Sequence, residues 1–364
     1  MTLSLYIAGR FLRVLAQVFL VFLGILMLID IVDQLRRLAP QGLGLAQATE
    51  LAALNVPASL YRILPLIFIL AAIAMFLALA RSSELVVIRA AGRSALRFLV
   101  APVLASLAVG VLAVAMLNPL VAALTREYET LHARYARGAE SVLSVSSSGL
   151  WLRQGGAEGQ TVIQAARTDL DGTRLYGVTL LVLGPDGLPE RRIEAEEALL
   201  IPGAWRLTGA RIWDLTAENP EVGRIAQDQA TLPSDLTRER IRASFGTPSS
   251  IPIWDLPAYI DRIEAAGFTA RAHRVWFQME LALPLLLTGM VLVAAGFTMR
   301  HARFGRTGTY VLMAILAGFA LFFLRNFAQV LGENGQIPVA MAAWTPPVAA
   351  ILGALGLLLH VEDG

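Results

Sequence analysis

The side chains that most often carry enzyme chemistry are missing or scattered in this chain. It has no cysteine, and all 30 basic residues are arginine, so thiolate and lysine Schiff-base chemistry are excluded. A phosphate-binding loop of the G-x-x-x-x-G-K-[ST] type also needs a lysine, so the chain cannot hydrolyse ATP through such a loop. The four histidines lack the spacing of a metal site; they are His132, His273, His301 and His360. A net charge of +2 does not indicate nucleic-acid binding. We therefore expect none of these kinds of catalysis, no metal and no cofactor.

The charged side chains that remain as candidates lie at the edges of long apolar segments. Arg36 and Arg37 follow the first segment, Arg325 lies inside the fifth, and Glu84 lies in the polar connection after the second. An ionisable group within a membrane span usually faces a cavity or a partner. Near the end of a helix, a guanidinium can instead snorkel toward the interface. Both interpretations are open for the three arginines, and the helices that position them decide between the two.

Six long apolar segments organise the chain, three before and three after a polar stretch at residues 125–274. A helix needs about 20 mostly apolar residues to cross a bilayer, and each segment is close to that length. Only 16% of the residues are charged, which is unlike a soluble domain. The predicted spans are residues 14–31, 63–80, 96–117, 281–297, 310–327 and 342–360. The sequence thus predicts a helical membrane protein whose transmembrane parts, 1–124 and 275–364, flank one inserted domain.

Arginine placement predicts the orientation, because short cytoplasmic loops retain positive charge. Arginines concentrate before the first span and in the connections after the second and fourth spans, which all lie on one side if the spans alternate. They are Arg10, Arg13, Arg81, Arg89, Arg93, Arg97, Arg300, Arg303 and Arg306. Both termini are therefore expected in the cytoplasm and residues 125–274 on the outer side. The first span lacks a small-residue cleavage site, which favours an uncleaved anchor over a signal peptide.

The inserted domain has the alternating pattern of β-strands. Helical spacing continues from the third span to about residue 138, after which the apolar period changes to two. Strands are predicted at residues 150–153, 161–165, 175–183, 191–201, 205–215 and 223–232. Such a series favours a sandwich, a jelly roll or an open barrel. Its apolar interior is either an ordinary core or a path open to lipid chains. A short helix at residues 253–268 then leads back to the membrane.

The connection at residues 81–94 is more regular than a loop needs to be. A serine can cap a short helix there, and Glu84 in its first turn complements the helix dipole. Leu85, Val86 and Ile88 give that helix an apolar face that its own chain is not predicted to cover. Two interpretations are open. The helix seats in a groove of a cytoplasmic ATPase, or it lies among the lipid head groups as an interfacial helix.

Four features together resemble the lipopolysaccharide-export permease family of ABC transporters. They are SSELVVIRAAGRS at residues 82–94, IDIVDQLRR at 29–37, GLWLR at 149–153, and the order of three helices, a β domain and three helices. The layout covers essentially the whole chain, and the order and spacing of the motifs are more specific than any single motif. The carboxyl-terminal pattern of IP at 337–338 and WTPP at 344–347 favours the LptG type over its LptF-type paralogue.

The resemblance implies a non-catalytic subunit of the bacterial inner membrane with a periplasmic β-jelly-roll-like domain. Its partners would be a paralogous permease, a cytoplasmic ATP-binding subunit dimer, a single-span periplasmic jelly-roll protein and a periplasmic bridge protein. Lipopolysaccharide would enter between the first and fifth helices of the two permeases and leave along aligned jelly rolls toward the outer membrane. Glu84 matches the family's coupling-helix glutamate, so Glu84, Leu85, Ile88 and Arg89 are expected to contact the ATPase.

The resemblance also implies a ligand for the two arginines at the outer end of the first span. Arg36 and Arg37 match basic positions at the rim of the family's lipid cavity, where guanidinium groups would bind the phosphates of lipid A. Arg325 is predicted to join them, with snorkelling as the alternative. Asp30 departs from the pattern, because a family member can carry a basic residue there.

Other functions remain as alternatives to the exporter. An ATP-independent receptor or scaffold would bind a periplasmic partner through the β domain and would purify without an ATPase. A secondary transporter is disfavoured, because polar or broken helices near the midplane are typical of both halves of such proteins. The spans of this chain show little polarity.

Overall fold

The computed structural model describes residues 2–38, 43–82, 84, 95–135, 143–146, 149–156, 159–169, 173–184, 186–234, 236–237, 247–265, 269–299 and 307–362. Within these residues, six helices are long and apolar enough to cross a membrane. They are Leu3–Leu38, Leu64–Arg81, Arg97–His132, Arg271–Thr298, Gly308–Glu333 and Val339–His360. Each overlaps one predicted span, which confirms the arrangement of three helices before and three after an inserted domain.

The helices that precede the sheet are α1 (Thr2–Leu38), α2 (Leu45–Arg62), α3 (Leu64–Arg81), α4 (Ala95–Leu112) and α5 (Asn118–Tyr135), with a π turn at Ala113–Leu117 joining the last two. Those that follow it are α6 (Leu256–Ala265), α7 (Arg271–Thr298), α8 (Thr307–Glu333) and α9 (Val339–Glu362). Helix α2, which lies between the first and second predicted spans, was not predicted as a separate helix. Helix α5 continues the third span outward, as predicted, and α6 confirms the short helix expected near residues 253–268.

Helix α7 forms the centre of the transmembrane bundle. In its apolar stretch 78% of the residues are buried, whereas in that of α1 only 6% are. Close helix packing in membranes relies on small residues at the contact, and Gly110 of α4 is such a residue. A Cβ atom added there would lie 2.7 Å from the Cα of Pro284 in α7. Helices α1 and α8 keep exposed apolar faces, including Leu28 and Phe323, which in a bilayer meet lipid or another helix.

The inserted domain contains a sheet of seven described strands: β1 (Leu143–Ser146), β2 (Gly149–Gly156), β3 (Gly159–Thr168), β4 (Arg174–Leu183), β5 (Pro189–Ile201), β6 (Ala204–Asp214) and β7 (Ile225–Pro233). Each strand pairs antiparallel with the next one in the chain. The six predicted strands are confirmed as β2 to β7, and the short β1 was not predicted. Trp205, Leu207 and Leu180 belong to the buried face of this domain. The fold class, a helical membrane protein with an inserted β domain, is confirmed.

The alternation of buried and exposed side chains slips by one residue inside the sheet. Gly177 in β4 and Gly209 in β6 have φ values of 60° and 64°, a conformation that favours glycine. On either side of Gly177, Leu175 and Val178 are both buried although they are three residues apart. The pairing of β4 with β3 and with β5 keeps the same register on both sides of Gly177, so the slip adds no residue to the strand. The apolar face of the sheet therefore continues across it.

The chain divides into two compact units. One consists of Met1–Ala136, Ser249–Trp254 and Arg271–Gly364, and it contains all the transmembrane helices. The other consists of Arg137–Pro248 and Asp255–Ala270, and it contains the sheet with α6.

Candidate functional site

Glu84 is held by the amino-terminal end of α1. Arg10 Nη1 donates to both carboxylate oxygens of Glu84, at 2.7 Å to Oε1 and 2.8 Å to Oε2. The Tyr6 hydroxyl donates to Oε2 at 3.2 Å, and the Ser82 hydroxyl donates to Oε1 at 2.7 Å. The hydrogen bonds from Arg10 and then from Ser82 lower the pKa of the Glu84 carboxyl below its ordinary value. Glu84 is therefore a charged anchor between α1 and the segment that follows α3.

The two α1 side chains reach one carboxylate because they are four residues apart on the same helix face. Arg10 Nη1 also donates to the Tyr6 hydroxyl at 2.8 Å, which orders the pair. This contact was not predictable from the spacing of Tyr6 and Arg10, because nothing local pairs α1 with a residue 74 positions later. Leu85, Ile88 and Arg89 lie outside the described residues, so their coupling role stays a prediction.

Arg36 and Arg37 are exposed at the opposite end of α1. Arg37 forms an ion pair with Asp33 one turn earlier, at 3.0 Å, and its side chain is 70% exposed. Such a pair is weak in water and can be exchanged for another anion at little cost. Within the described part of the chain, Arg36 forms no hydrogen bond or ion pair. Both guanidinium groups are therefore available to an anionic ligand.

A polar network behind these arginines connects α1 to α2 and α5. Asn55 of α2 donates to Asp30 Oδ1 at 2.8 Å, and Gln34 Nε2 lies 2.9 Å from the Tyr128 hydroxyl of α5. Asp30 Oδ2 and Gln34 Oε1, one helical turn apart, are buried without a donor. With the oxygen and nitrogen of the Gln34 side-chain amide exchanged, both unpaired atoms gain a donor. Tyr128 then donates to Gln34 Oε1, and Gln34 Nε2 donates to Asp30 Oδ2. Asp30 is thus a structural contact to α2.

A second polar cluster lies inside the bundle around Glu280 of α7, which is fully buried. Its Oε2 accepts a short hydrogen bond from the Tyr61 hydroxyl and another from Asn118 Nδ2 at 3.1 Å. Asn118 Oδ1 accepts in turn from the backbone N–H of Ile253 at 3.0 Å. The Glu280 Oε1 atom is buried without a partner. Glu280 was not predicted, because the fourth span was predicted to begin one residue later. Its position inside the observed span corrects the prediction that the spans have little polarity.

Arg325 of α8 lies with this cluster and not with the two arginines of α1. Its side chain is only 7% exposed, so it is packed within the bundle. The guanidinium interacts electrostatically with Glu280 and is repelled by Arg62. Among the described residues it forms no hydrogen bond and no ion pair. The predicted role of Arg325 in binding lipid phosphate stays a prediction.

An apolar groove of about 550 Å³ lies between α1, α3 and the third span. Its lining includes Phe19, Phe68 and Met116, the last of which belongs to the π turn. A π turn frees backbone carbonyls, and Trp254 Nε1 donates to that of Ala115 at 3.1 Å. The groove has the size and the chemistry of a site for hydrocarbon.

These features define a multi-pass membrane protein with charged groups at its helix ends and a β domain inserted between two sets of three spans. The model of the family described as lipopolysaccharide export system permease LptF/LptG matches residues 5–360, and the chain belongs to this family. It is 22% identical to the lipopolysaccharide export system permease protein LptG of Haemophilus influenzae over 365 residues, which cover all of this chain and 99% of that protein. It is 24% identical to LptG of Escherichia coli K12 over 339 residues, 92% of this chain and 91% of that protein.

Membership of the family makes the chain a multi-pass inner membrane protein and a transporter subunit of lipopolysaccharide export. The resemblance seen in the motifs is confirmed. Both relatives are of the LptG type, which the carboxyl-terminal pattern also favours.

Proposed function

We propose that this chain converts ATP hydrolysis on a separate cytoplasmic subunit into extraction of lipopolysaccharide from the inner membrane. Both termini are cytoplasmic and the β domain is periplasmic, an orientation that the arginine-rich helix ends support. The chain pairs with a paralogous permease and binds a cytoplasmic ATP-binding dimer. A single-span jelly-roll protein and a bridge protein receive the lipid in the periplasm and pass it toward the outer membrane.

The contact of Glu84 with α1 is the observation that carries this proposal. Residues 81–94 are the segment expected to seat in the ATPase, and Glu84 ties that segment to Arg10. Among the six spans found in the described residues, α1 is the least buried, and it has an exposed apolar face. Movement of the segment is therefore transmitted to the helix that is free to move against lipid or a partner permease.

The substrate is recognised by phosphate and by hydrocarbon at separate places on the same helix. Arg36 and Arg37 present exposed guanidinium groups, which bind phosphate oxygens bidentately. About 18 residues earlier, α1 lines the apolar groove through Phe19, which suits an acyl chain. A lipid with phosphates at the interface and chains in the membrane matches both features.

Coupling is tested by purifying the chain in mild detergent, identifying its co-purifying proteins and measuring ATPase activity in vesicles with lipopolysaccharide. Glu84→Ala should reduce recovery of the ATPase chain or its stimulation by lipid, while membrane insertion stays normal. Glu50→Ala, which removes an exposed carboxylate of α2, is the matched control. Normal assembly and normal lipid release with Glu84→Ala would remove the coupling role, and the absence of any ATPase would favour a receptor or scaffold.

The phosphate site is tested by crosslinking lipopolysaccharide to α1. Arg36→Glu with Arg37→Glu should weaken crosslinking, because two favourable charges become repulsive. A charge-neutral control reverses the existing ion pair with Asp33→Arg and Arg37→Glu, which keeps the net charge of that turn. Because the control moves one guanidinium by a helical turn and keeps the net charge, crosslinking should fall less than in Arg36→Glu with Arg37→Glu. Equal crosslinking in the wild type and in Arg36→Glu with Arg37→Glu would instead favour simple snorkelling.

A further inference from the structure

The Glu280 and Arg325 side chains form an incomplete pair inside the transmembrane bundle. Each is at most 7% exposed, and the two interact electrostatically. Yet the carboxylate keeps Oε1 without a hydrogen-bond donor, and the guanidinium makes no hydrogen bond or ion pair with the described residues. Donors and an acceptor of opposite charge thus lie near each other without closing a salt bridge.

An open pair of this kind is costly unless a further group completes it. A buried charge that lacks hydrogen bonds is strongly unfavourable, and ionisable groups within a membrane usually face a partner or a substrate path. Glu280 is partly satisfied already, because Tyr61 and Asn118 both donate to its Oε2 atom. Arg325 has no such support and is also repelled by Arg62. Arg325 is therefore the member that is free to take another anion.

Building on the proposed function, we propose that Glu280 is a positioning residue that competes with the phosphate of the lipid for Arg325. Without lipid, the negative charge of the carboxylate attracts the guanidinium, and hence α8, toward α7. When a phosphate arrives, Arg325 turns to it and the attraction between α8 and α7 weakens. Binding of phosphate at Arg325 thus changes the packing of the fifth span directly.

The substitution Glu280→Gln separates this competition from a purely structural role. The amide oxygen can still accept from Tyr61 and Asn118, so both observed hydrogen bonds are retained. Only the negative charge that attracts Arg325 is removed. Competition predicts that this variant binds phosphorylated lipid more tightly than the wild type, whereas damage to the bundle predicts weaker binding of every lipid.

The test measures lipid affinity of the complete exporter in lipid nanodiscs. The probes are diphosphoryl lipid A and lipid A without phosphates. Glu280→Gln should raise the affinity for diphosphoryl lipid A by at least about fivefold, the lower end of typical coupling between sites. Affinity for the dephosphorylated form should not change. The gain should disappear when Arg325→Gln is added.

Several outcomes would overturn the proposal. These are an unchanged or lower affinity for diphosphoryl lipid A, or an equal gain for the dephosphorylated form. If Glu280→Gln does not assemble, Tyr61→Phe gives a second test with the opposite sign. It removes a donor from the carboxylate, which then relies more on Arg325, so phosphorylated lipid should bind less tightly and dephosphorylated lipid should bind as before. Equal weakening of both lipids would refute the idea.

The same measurements distinguish an error in the proposed function from an error in the competition between Glu280 and phosphate. If the wild-type exporter binds neither form of lipid A, the proposed function is wrong. If the wild type prefers the diphosphoryl form and neither variant changes that preference, only the competition between Glu280 and phosphate is wrong.

Discussion

Removal of the ion pair between Arg10 and Glu84 should loosen the start of α1. The two side chains are 21% and 33% exposed, which places the pair between a surface contact and a buried one. Exposed pairs contribute about 0.2 to 1 kcal/mol, and hydrogen bonds to charged groups about 1.5 to 3 kcal/mol. With partial exposure, we expect a coupling of about 1 kcal/mol, which is a factor of about five in an opening equilibrium.

Hydrogen exchange of the amides near Arg10, in the purified exporter, measures this opening directly. Arg10→Gln and Glu84→Gln should each increase exchange about fivefold, and the double variant should be no worse than the more affected single variant. Arg13→Gln is the matched control, because the Arg13 side chain is exposed and its one hydrogen bond to a described residue goes to the Gly9 carbonyl of its own helix. Additive effects of the two substitutions would refute the pairing.

The same pair predicts a dependence on pH. The pKa of Glu84 is lowered in the folded protein, mainly by the hydrogen bond from Arg10. A carboxyl with a lowered pKa stabilises the folded state above its ordinary pKa of 4.5, and that contribution is lost as the pH falls through the folded value. Exchange near Arg10 should therefore be constant between about pH 5 and 8, once corrected for the intrinsic exchange rate, and should rise only under stronger acid. A rise near neutral pH would contradict the assignment to Glu84.

The remaining predictions concern packing and buried hydrogen bonds. Gly110→Ala places a methyl group against the backbone of α7 and should lower bundle stability by about 1 to 3 kcal/mol in a detergent melt, whereas Gly353→Ala, with open space at the Cβ position, should not. Trp205→Ala empties the core of the β domain and should cost about 3 to 5 kcal/mol, read from denaturant unfolding followed by circular dichroism; an unchanged midpoint would contradict its burial. Asn55→Ala removes the donor to Asp30 and should destabilise the contact of α1 with α2 by about 1 to 3 kcal/mol, measured by hydrogen exchange in α2.

The architecture was predictable from local patterns. About 20 apolar residues suffice for a span, so the six spans were evident without any knowledge of contacts. Strands β2 to β7 followed from alternation, whereas β1 has only four residues and gave too short a pattern to detect. The slip at Gly177 was also hidden, because alternation is judged over several residues and one irregular position is averaged out.

The candidate site was predictable only in part, since charge placement is local and pairing is not. Arg36, Arg37 and Glu84 were evident as charges at the ends of apolar segments. Glu280 was missed because it lies one residue outside the predicted apolar run, where a glutamate resembles an ordinary interfacial residue. Its burial depends on Tyr61, which is 219 residues away in the chain.

The sequence by itself determined that the chain spans a membrane six times, carries a β domain at its midpoint and has no lysine for a phosphate-binding loop. Each of these conclusions rests on the composition or periodicity of a continuous segment. Only the tertiary structure decided that Arg10 holds Glu84 and that Arg325 is buried within the electrostatic range of the Glu280 carboxylate. Helix packing brings such distant residues together, and it is governed by the shapes of whole helices, including small residues such as Gly110 at their crossings.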